Sequence, residues 1–109
     1  MFEAGHVALQ LVSAIAPIVR AVEAHDTNLA DQLRRAVTSA ALNTAEGGRR
    51  TGRDGACRYR IAAAECAETD AAVRIAVAWG FVDDTAAAAA LGLADRLQAM
   101  LWRLRHPRR

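Results

Sequence analysis

Apolar residues return at every third or fourth position along most of this chain: Val7, Leu11, Ile15, Ile18 and Val22 make one series, and Leu93, Leu97, Met100 and Leu104 make another. A period near 3.6 puts such residues on one side of an α-helix, whereas a half-buried strand needs strict alternation. Much of the filler between them is alanine, the best helix former. Hydrophobic residues make up 53% of the sequence and aromatic ones only 5%, a balance that suits closely packed helices and not the aromatic and β-branched faces of a sandwich or barrel. A chain of 109 residues has material for one core and not for two. The expected fold is therefore all-α: a single domain over residues 1–109, built as an antiparallel up-down four-helix bundle.

Local signals set the expected boundaries. The first helix runs from near Phe2 to Glu23, with a kink at Pro17, where one backbone hydrogen bond is missing. Asp26 and Thr27 offer N-caps for a second helix that continues to Glu46, with Gly47-Gly48 as its stop. The third begins between Thr51 and Gly55 and ends at Trp79, with Gly80 in the left-handed capping position. The fourth follows Asp83-Asp84. The third helix carries two apolar stripes on nearly opposite sides: Ile61, Ala72, Ile75 and Trp79 on one, and Tyr59, Cys66, Val73 and Val77 on the other. One stripe faces the core, so the second needs a neighbour. On the fourth helix Leu91 and Trp102 point away from the Leu93–Leu104 seam. Tyr59, Val73, Val77, Leu91 and Trp102 are accordingly expected at an interface between copies of the chain.

The second helix has a polar stripe as well. Gln32, Arg35, Ser39, Asn43 and Glu46 fall at spacings of three and four. Ser and Asn compete for backbone hydrogen bonds and are indifferent helix formers, so their place in mid-helix suggests partners across a seam. Glu68 lies in the Ile61 stripe of the third helix, where a carboxylate must be paired to be tolerated. Arg35 or Arg58 is the expected partner, with Ser39 and Asn43 completing a structural network.

The same residues carry a resemblance. Gln32-Leu33-Arg34-Arg35, Ser39, Asn43, Ala45-Glu46-Gly47, Gly52-Arg53, Ile61-Ala62-Ala63, Glu68 and Trp79-Gly80-Phe81 resemble the small four-helix bundle proteins encoded in intervening sequences of 23S ribosomal RNA genes. That family includes the accessory variability proteins of diversity-generating retroelements. The family pattern has Ile where Ala40 and Thr44 stand, and Gly-Ser where Ala64-Glu65 stands. The resemblance implies a ring of protomers, with five the first choice of stoichiometry, and a setting beside a reverse transcriptase or inside a ribosomal RNA gene.

Charge distribution says more than net charge, which is only +2. From Arg34 to Arg60 the chain carries seven arginines (Arg34, Arg35, Arg49, Arg50, Arg53, Arg58 and Arg60) against Glu46 and Asp54 alone. Arg103, Arg105, Arg108 and Arg109 follow near the C-terminus, and there is no lysine. Arg34, Arg49, Arg50, Arg53, Arg58 and Arg60 are the expected contacts to nucleic acid; repeated around a ring they make a multivalent basic surface suited to a polyanion.

Other chemistries find little support. No nucleophile has a neighbouring base, and Gly47-Gly48-Arg49-Arg50-Thr51-Gly52 lacks the lysine and preceding strand of a phosphate-binding loop. His6, His25 and His106 are scattered, and Glu65-Glu68 lacks the Glu-x-x-His pairing of carboxylate-bridged metal bundles. Cys57 and Cys66 lie nine positions apart on one helix, a rise of about 13 Å, too far for an intrachain disulfide. No enzyme activity, cofactor, metal or small-molecule substrate is expected. No charge-free apolar run reaches the roughly 20 residues of a membrane span and no signal-peptide pattern opens the chain, so the expected location is the cytoplasm. The expected function is that of a homo-oligomeric accessory protein binding RNA or a reverse transcriptase ribonucleoprotein; the alternative is a protein-only scaffold for an acidic partner.

Overall fold

The computed structural model describes residues 2–107. Its elements are α1 (Glu3–Glu23), α2 (Thr27–Arg49), α3 (Gly52–Ala78) and α4 (Asp84–Arg105). Helices of 21 to 27 residues are about 32–40 Å long, and the links between them hold only a few residues, so each helix must run back along the one before. α1 packs on α2, α2 on α3, α3 on α4, and α4 closes the ring against α1. The result is a rod of 46 × 22 × 21 Å.

Capping explains most of the boundaries. Asp26 Oδ1 accepts the Leu29 N–H at 3.0 Å and Asp83 Oδ1 accepts the Ala86 N–H at 2.7 Å, starting α2 and α4. α3 ends as expected: the Gly80 N–H donates to Val77 O and the Phe81 N–H to Ala76 O, both at 2.9 Å, with Gly80 at φ +80°. This is the paired closure that favours glycine just beyond a helix. The turn carries Phe81 back onto the α1–α2 loop, where His25 stacks on it at 4.7 Å, and the Trp79 ring lies nearly parallel to it at 6.1 Å. α1 runs unbroken through Pro17, whose side chain is exposed, as is that of Ser13 one turn earlier. The carbonyl that proline leaves without a donor thus belongs to the outer side of the helix, within reach of water. By length and composition α1 is apolar enough to cross a bilayer, but Val7, Leu11, Ile15, Ile18 and Val22 are all buried in the bundle.

The end of α2 differs from the sequence expectation. The helix does not stop at Gly47-Gly48 but continues to Arg49. Gly47 is buried, and a Cβ built on it would lie 2.4 Å from Tyr59 Cε1; one on Gly48 would lie 2.7 Å from Phe2 Cε2. These glycines admit two aromatic rings against the helix backbone, a tertiary role that a local reading takes for a stop signal. Only Arg50 and Thr51 then link α2 to α3.

The core is shallow and rich in alanine. Leu11, Ile15, Leu33, Leu97 and Leu101 are its largest fully buried side chains, with Ala30, Ala40, Ala62, Ala76, Ala87 and Ala90 between them. Ala40 and Thr44, the two smaller residues noted above, are fully buried, and Thr44 satisfies its hydroxyl on Ala40 O at 2.7 Å. Here the assignment of stripes on α3 is corrected. Tyr59, Cys66 and Val73 face the protomer's own core, so Tyr59 and Val73 are not interface residues; Val77 and Leu91 are half-buried against that core. The outward stripe is Ile61, Ile75 and Trp79.

Cys66 is fully buried and its Sγ lies 3.4 Å from Ala94 O; burial, then Asp70 and Asp95, push its thiol up to about 12. Cys57 is half-exposed. At mildly alkaline pH an alkylating reagent should therefore label one thiol per folded chain and two in denaturant, as read by intact mass; rapid double labelling of the folded protein would contradict this burial. Because the folded thiol holds its proton more tightly, its contribution to stability is complete below about pH 8.5 and falls as the pH climbs towards 12.

Candidate nucleic-acid interface

The alternating directions of the helices sort charge along the rod. The C-terminus of α2 brings Arg49 and Arg50, the N-terminus of α3 brings Arg53, and the C-terminus of α4 brings Arg103 and Arg105 to one end. The loops at the other end bring Glu23, Asp26, Asp83 and Asp84. Glu3, Glu46 and Asp54 offset part of the first cluster, and Arg20, Arg34, Arg35 and Arg74 part of the second, so each end keeps an excess of one sign rather than a single sign. In sequence the α4 arginines lie some fifty positions from those of α2 and α3; the up-down topology makes them neighbours. Arg108 and Arg109 lie outside the described residues.

The six arginines expected to meet nucleic acid divide into groups. Arg49, Arg53 and Arg60 are exposed, Arg49 with a loose 3.7 Å contact to Glu46 and Arg60 with one of 3.7 Å to Cys57 Sγ. Arg50 spans the α2–α3 link: its Nη1 meets Asp54 at 2.7 Å and its Nη2 meets Glu46 at 3.0 Å. Hydrogen bonds to Asp54 and then to Glu46 raise its guanidinium above the ordinary value, and its first task is to brace the link. Arg58 is half-buried and donates to Asn43 Oδ1 at 3.3 Å. Arg34 belongs to neither group, since it sits towards the acidic end and pairs with Glu23 at 3.4 Å and Asp31 at 3.6 Å.

The polar stripe of α2 forms part of the expected network. Asn43 Nδ2 donates to Ser39 O at 3.0 Å and to Ser39 Oγ at 3.2 Å, while its Oδ1 accepts from Arg58 across the α2–α3 seam. Glu46 serves Arg49 and Arg50. Glu68 is not in the network: it is exposed, and Arg35 pairs instead with Asp31 at 3.4 Å. The reason is the stripe reversal on α3. Glu68 shares a side with Ile61 and Ile75, and that side faces out, so no buried charge demands a partner. Gln32, Arg35, Ser39, Glu65 and Glu68 line an open cleft between α2 and α3.

Exposed apolar residues flank these polar features. Trp79 is 69% exposed, Trp102 56% and Ile75 47%. Trp102 stacks on His106 at 4.3 Å. Gln98 Nε2 donates to Ala63 O at 2.7 Å, which sets the Leu91–Gln98–Trp102 side of α4 beside α3. Among the described residues, no group of three or more His, Cys, Asp and Glu side chains converges.

Comparison with known proteins fits this architecture. A crystal structure of a protein of unknown function from the S23 ribosomal protein family of Bacteroides thetaiotaomicron superposes with a TM-score of 0.86, covering 94% of this chain and 97% of that one. The two are 15% identical, so the likeness speaks for the fold alone. No curated protein shows significant sequence similarity to the chain. The family model of the 23S rRNA-intervening sequence protein matches residues 2–103, the length of the bundle from the start of α1 to the last turn of α4. The chain therefore belongs to the 23S rRNA-intervening sequence protein family.

Proposed function

We propose that this protein is a non-enzymatic, cytoplasmic, homo-oligomeric accessory that binds RNA, or a ribonucleoprotein such as that of a retroelement reverse transcriptase, through the arginine end of its bundle. The observation that carries this reading is the segregation of charge. Arg49, Arg53 and Arg103 stand exposed at one end, together with half-exposed Arg105, so the positive potential is concentrated although net charge is only +2. Oligomerisation is supported by the outward Ile61, Ile75 and Trp79 on α3 and Trp102 on α4. Large exposed apolar side chains gain from burial against another copy, Ile75 and Trp79 towards one end of the rod and Trp102 towards the other. A ring, with five members as the favoured number, sets several arginine ends side by side.

Two measurements test the reading. Light scattering should return a mass larger than a dimer, with Trp102 fluorescence less accessible to quencher in the assembly; a concentration-independent mass of one chain overturns the oligomer. Binding to single-stranded RNA should weaken steeply with salt, with a log–log slope near −0.7 for each phosphate neutralised. A protein whose RNA binding is absent or independent of salt is better described as a scaffold for an acidic protein partner.

A further inference from the structure

One cavity at the arginine end is built unlike the rest of that surface. It holds about 430 Å³ between the first turn of α3 and the last turn of α4. Tyr59, Arg53 and Arg105 line it, with Leu104 and Pro107 as its apolar members and Arg50, already held by Asp54 and Glu46, beside them.

Tyr59 is the informative residue. It is only 9% exposed, with its ring against Gly47 and 6.4 Å from that of Phe2. A tyrosine buried this deeply ordinarily finds a partner for its hydroxyl, yet none of the described hydrogen bonds involves it. No unpartnered side-chain oxygen or nitrogen is sealed from solvent among the described residues, so the hydroxyl must open outward, and the cavity that Tyr59 lines lies there. The ring is thus held by the fold, while its hydroxyl stays open to solvent, without a protein acceptor, on a residue that lines the cavity.

The other groups around the cavity suit an anion. Thr51, the residue before α3, makes no side-chain cap, so the first-turn N–H groups have no side-chain acceptor. Arg53 and Arg105 form no ion pair among the described residues; Arg105 uses its Nε on Leu101 O at 3.3 Å. Two features oppose an anion. Asp54 lies in the same first turn but is held by Arg50 at 2.7 Å. The C-terminal carbonyls of α4 also lie nearby, and the His106 N–H caps those of Trp102 and Arg103. Two guanidinium groups, a phenol and a helix N-terminus outweigh what is left.

From this arrangement we infer that the cavity takes a terminal phosphate monoester, on an RNA end or a free mononucleotide, with the phosphate among Arg53, Arg105 and the Tyr59 hydroxyl. The volume fits: at about 30 Å³ per water the space is several times what one phosphate fills, leaving room for the attached nucleoside along Leu104 and Pro107. A chain-internal diester offers fewer charged oxygens and must leave the cavity in two directions. The inference deepens the RNA-binding reading, on which its polynucleotide form rests.

The test compares a single-stranded oligoribonucleotide bearing a terminal phosphate with its terminal-hydroxyl twin by fluorescence anisotropy, with uridine monophosphate titrated alone by calorimetry. The phosphorylated strand should bind about tenfold more tightly, as loss of charge-assisted hydrogen bonds commonly costs. Tyr59→Phe keeps the ring against Gly47 and should remove most of that preference while leaving the hydroxyl-ended strand's affinity and the melting temperature in place. Arg53→Gln should also remove most of that preference, and because Arg53 belongs to the arginine end it should weaken both strands as well. If neither strand binds but uridine monophosphate does, and Tyr59→Phe abolishes this, the RNA reading fails and the cavity stands as a mononucleotide site. Equal affinity for the two strands, a preference unchanged in both variants, or binding of neither RNA nor mononucleotide overturns the inference.

Discussion

Gly47→Val is expected to lower the stability of the fold by about 2–3 kcal/mol, or roughly 10–20 °C in melting temperature for a domain of this size. The Cβ would lie 2.4, 2.6 and 2.9 Å from Cε1, Cδ1 and Cζ of Tyr59. Relief requires the ring to move, and it is buried against α2 with Phe2 at its side. The better helix propensity of valine offsets less than about 1 kcal/mol of this. Gly92→Ala is the matched control, because a Cβ there meets nothing within 4 Å. It should gain up to about 1 kcal/mol from helix propensity alone. Melting curves followed by far-UV circular dichroism decide the matter, and equal shifts in the two variants would mean that Tyr59 does not press on α2.

The second large effect concerns binding. Replacing Arg49, Arg53, Arg103 and Arg105 together by Gln should weaken single-stranded RNA binding by about two orders of magnitude at moderate salt. It should also flatten the salt slope by up to about three counterions per engaged protomer. Melting temperature should barely change, since exposed ion pairs contribute little and none of these four braces a link. Arg50 is left out because it joins Glu46 to Asp54 across the two-residue connection. Arg34→Gln serves as comparison: that side chain pairs with Glu23 towards the acidic end, so its loss should leave RNA affinity within about twofold of the parent. A quadruple variant that folds and keeps both affinity and salt slope would remove the arginine end from the RNA-binding reading.

Period and punctuation made the helices legible before the structure. Val7 to Val22 named the buried side of α1, Asp26 and Asp83 marked starts that hydrogen bonds then bear out, and Gly80 closed α3 where a left-handed residue was required. What escaped depends on neighbours. Two stripes of similar weight ran along α3, and nothing local says which one the other helices cover. Ile61, Ile75 and Trp79 make the bulkier stripe, yet they stand exposed while Tyr59, Cys66 and Val73 are buried. Glu68 follows the same reversal: it lies exposed with Ile61 and Ile75, so the pairing that a buried carboxylate requires does not arise. Gly47 and Gly48 carry the local signature of a helix stop, and only the rings of Tyr59 and Phe2, distant in sequence, give them their role. The candidate site was half legible. Arg49 and Arg53 stood together in the chain, but Arg103 and Arg105 joined them only through the topology, and the cavity before Tyr59 has no sequence signature.

The excess of arginine at one end of a 46 Å rod and of carboxylate at the other has a physical consequence of its own. A body with positive charge at one end and negative charge at the other is an electric dipole, and in the field of a polyanion it experiences a torque before it makes any contact. Encounters are biased towards the productive orientation, which raises the association rate without adding an interaction to the bound state. Rotation about a common axis leaves the axial component of every protomer's dipole pointing the same way, so in a cyclic assembly those components add. One face of such a ring attracts phosphate and the other repels it, giving a symmetric assembly a front and a back.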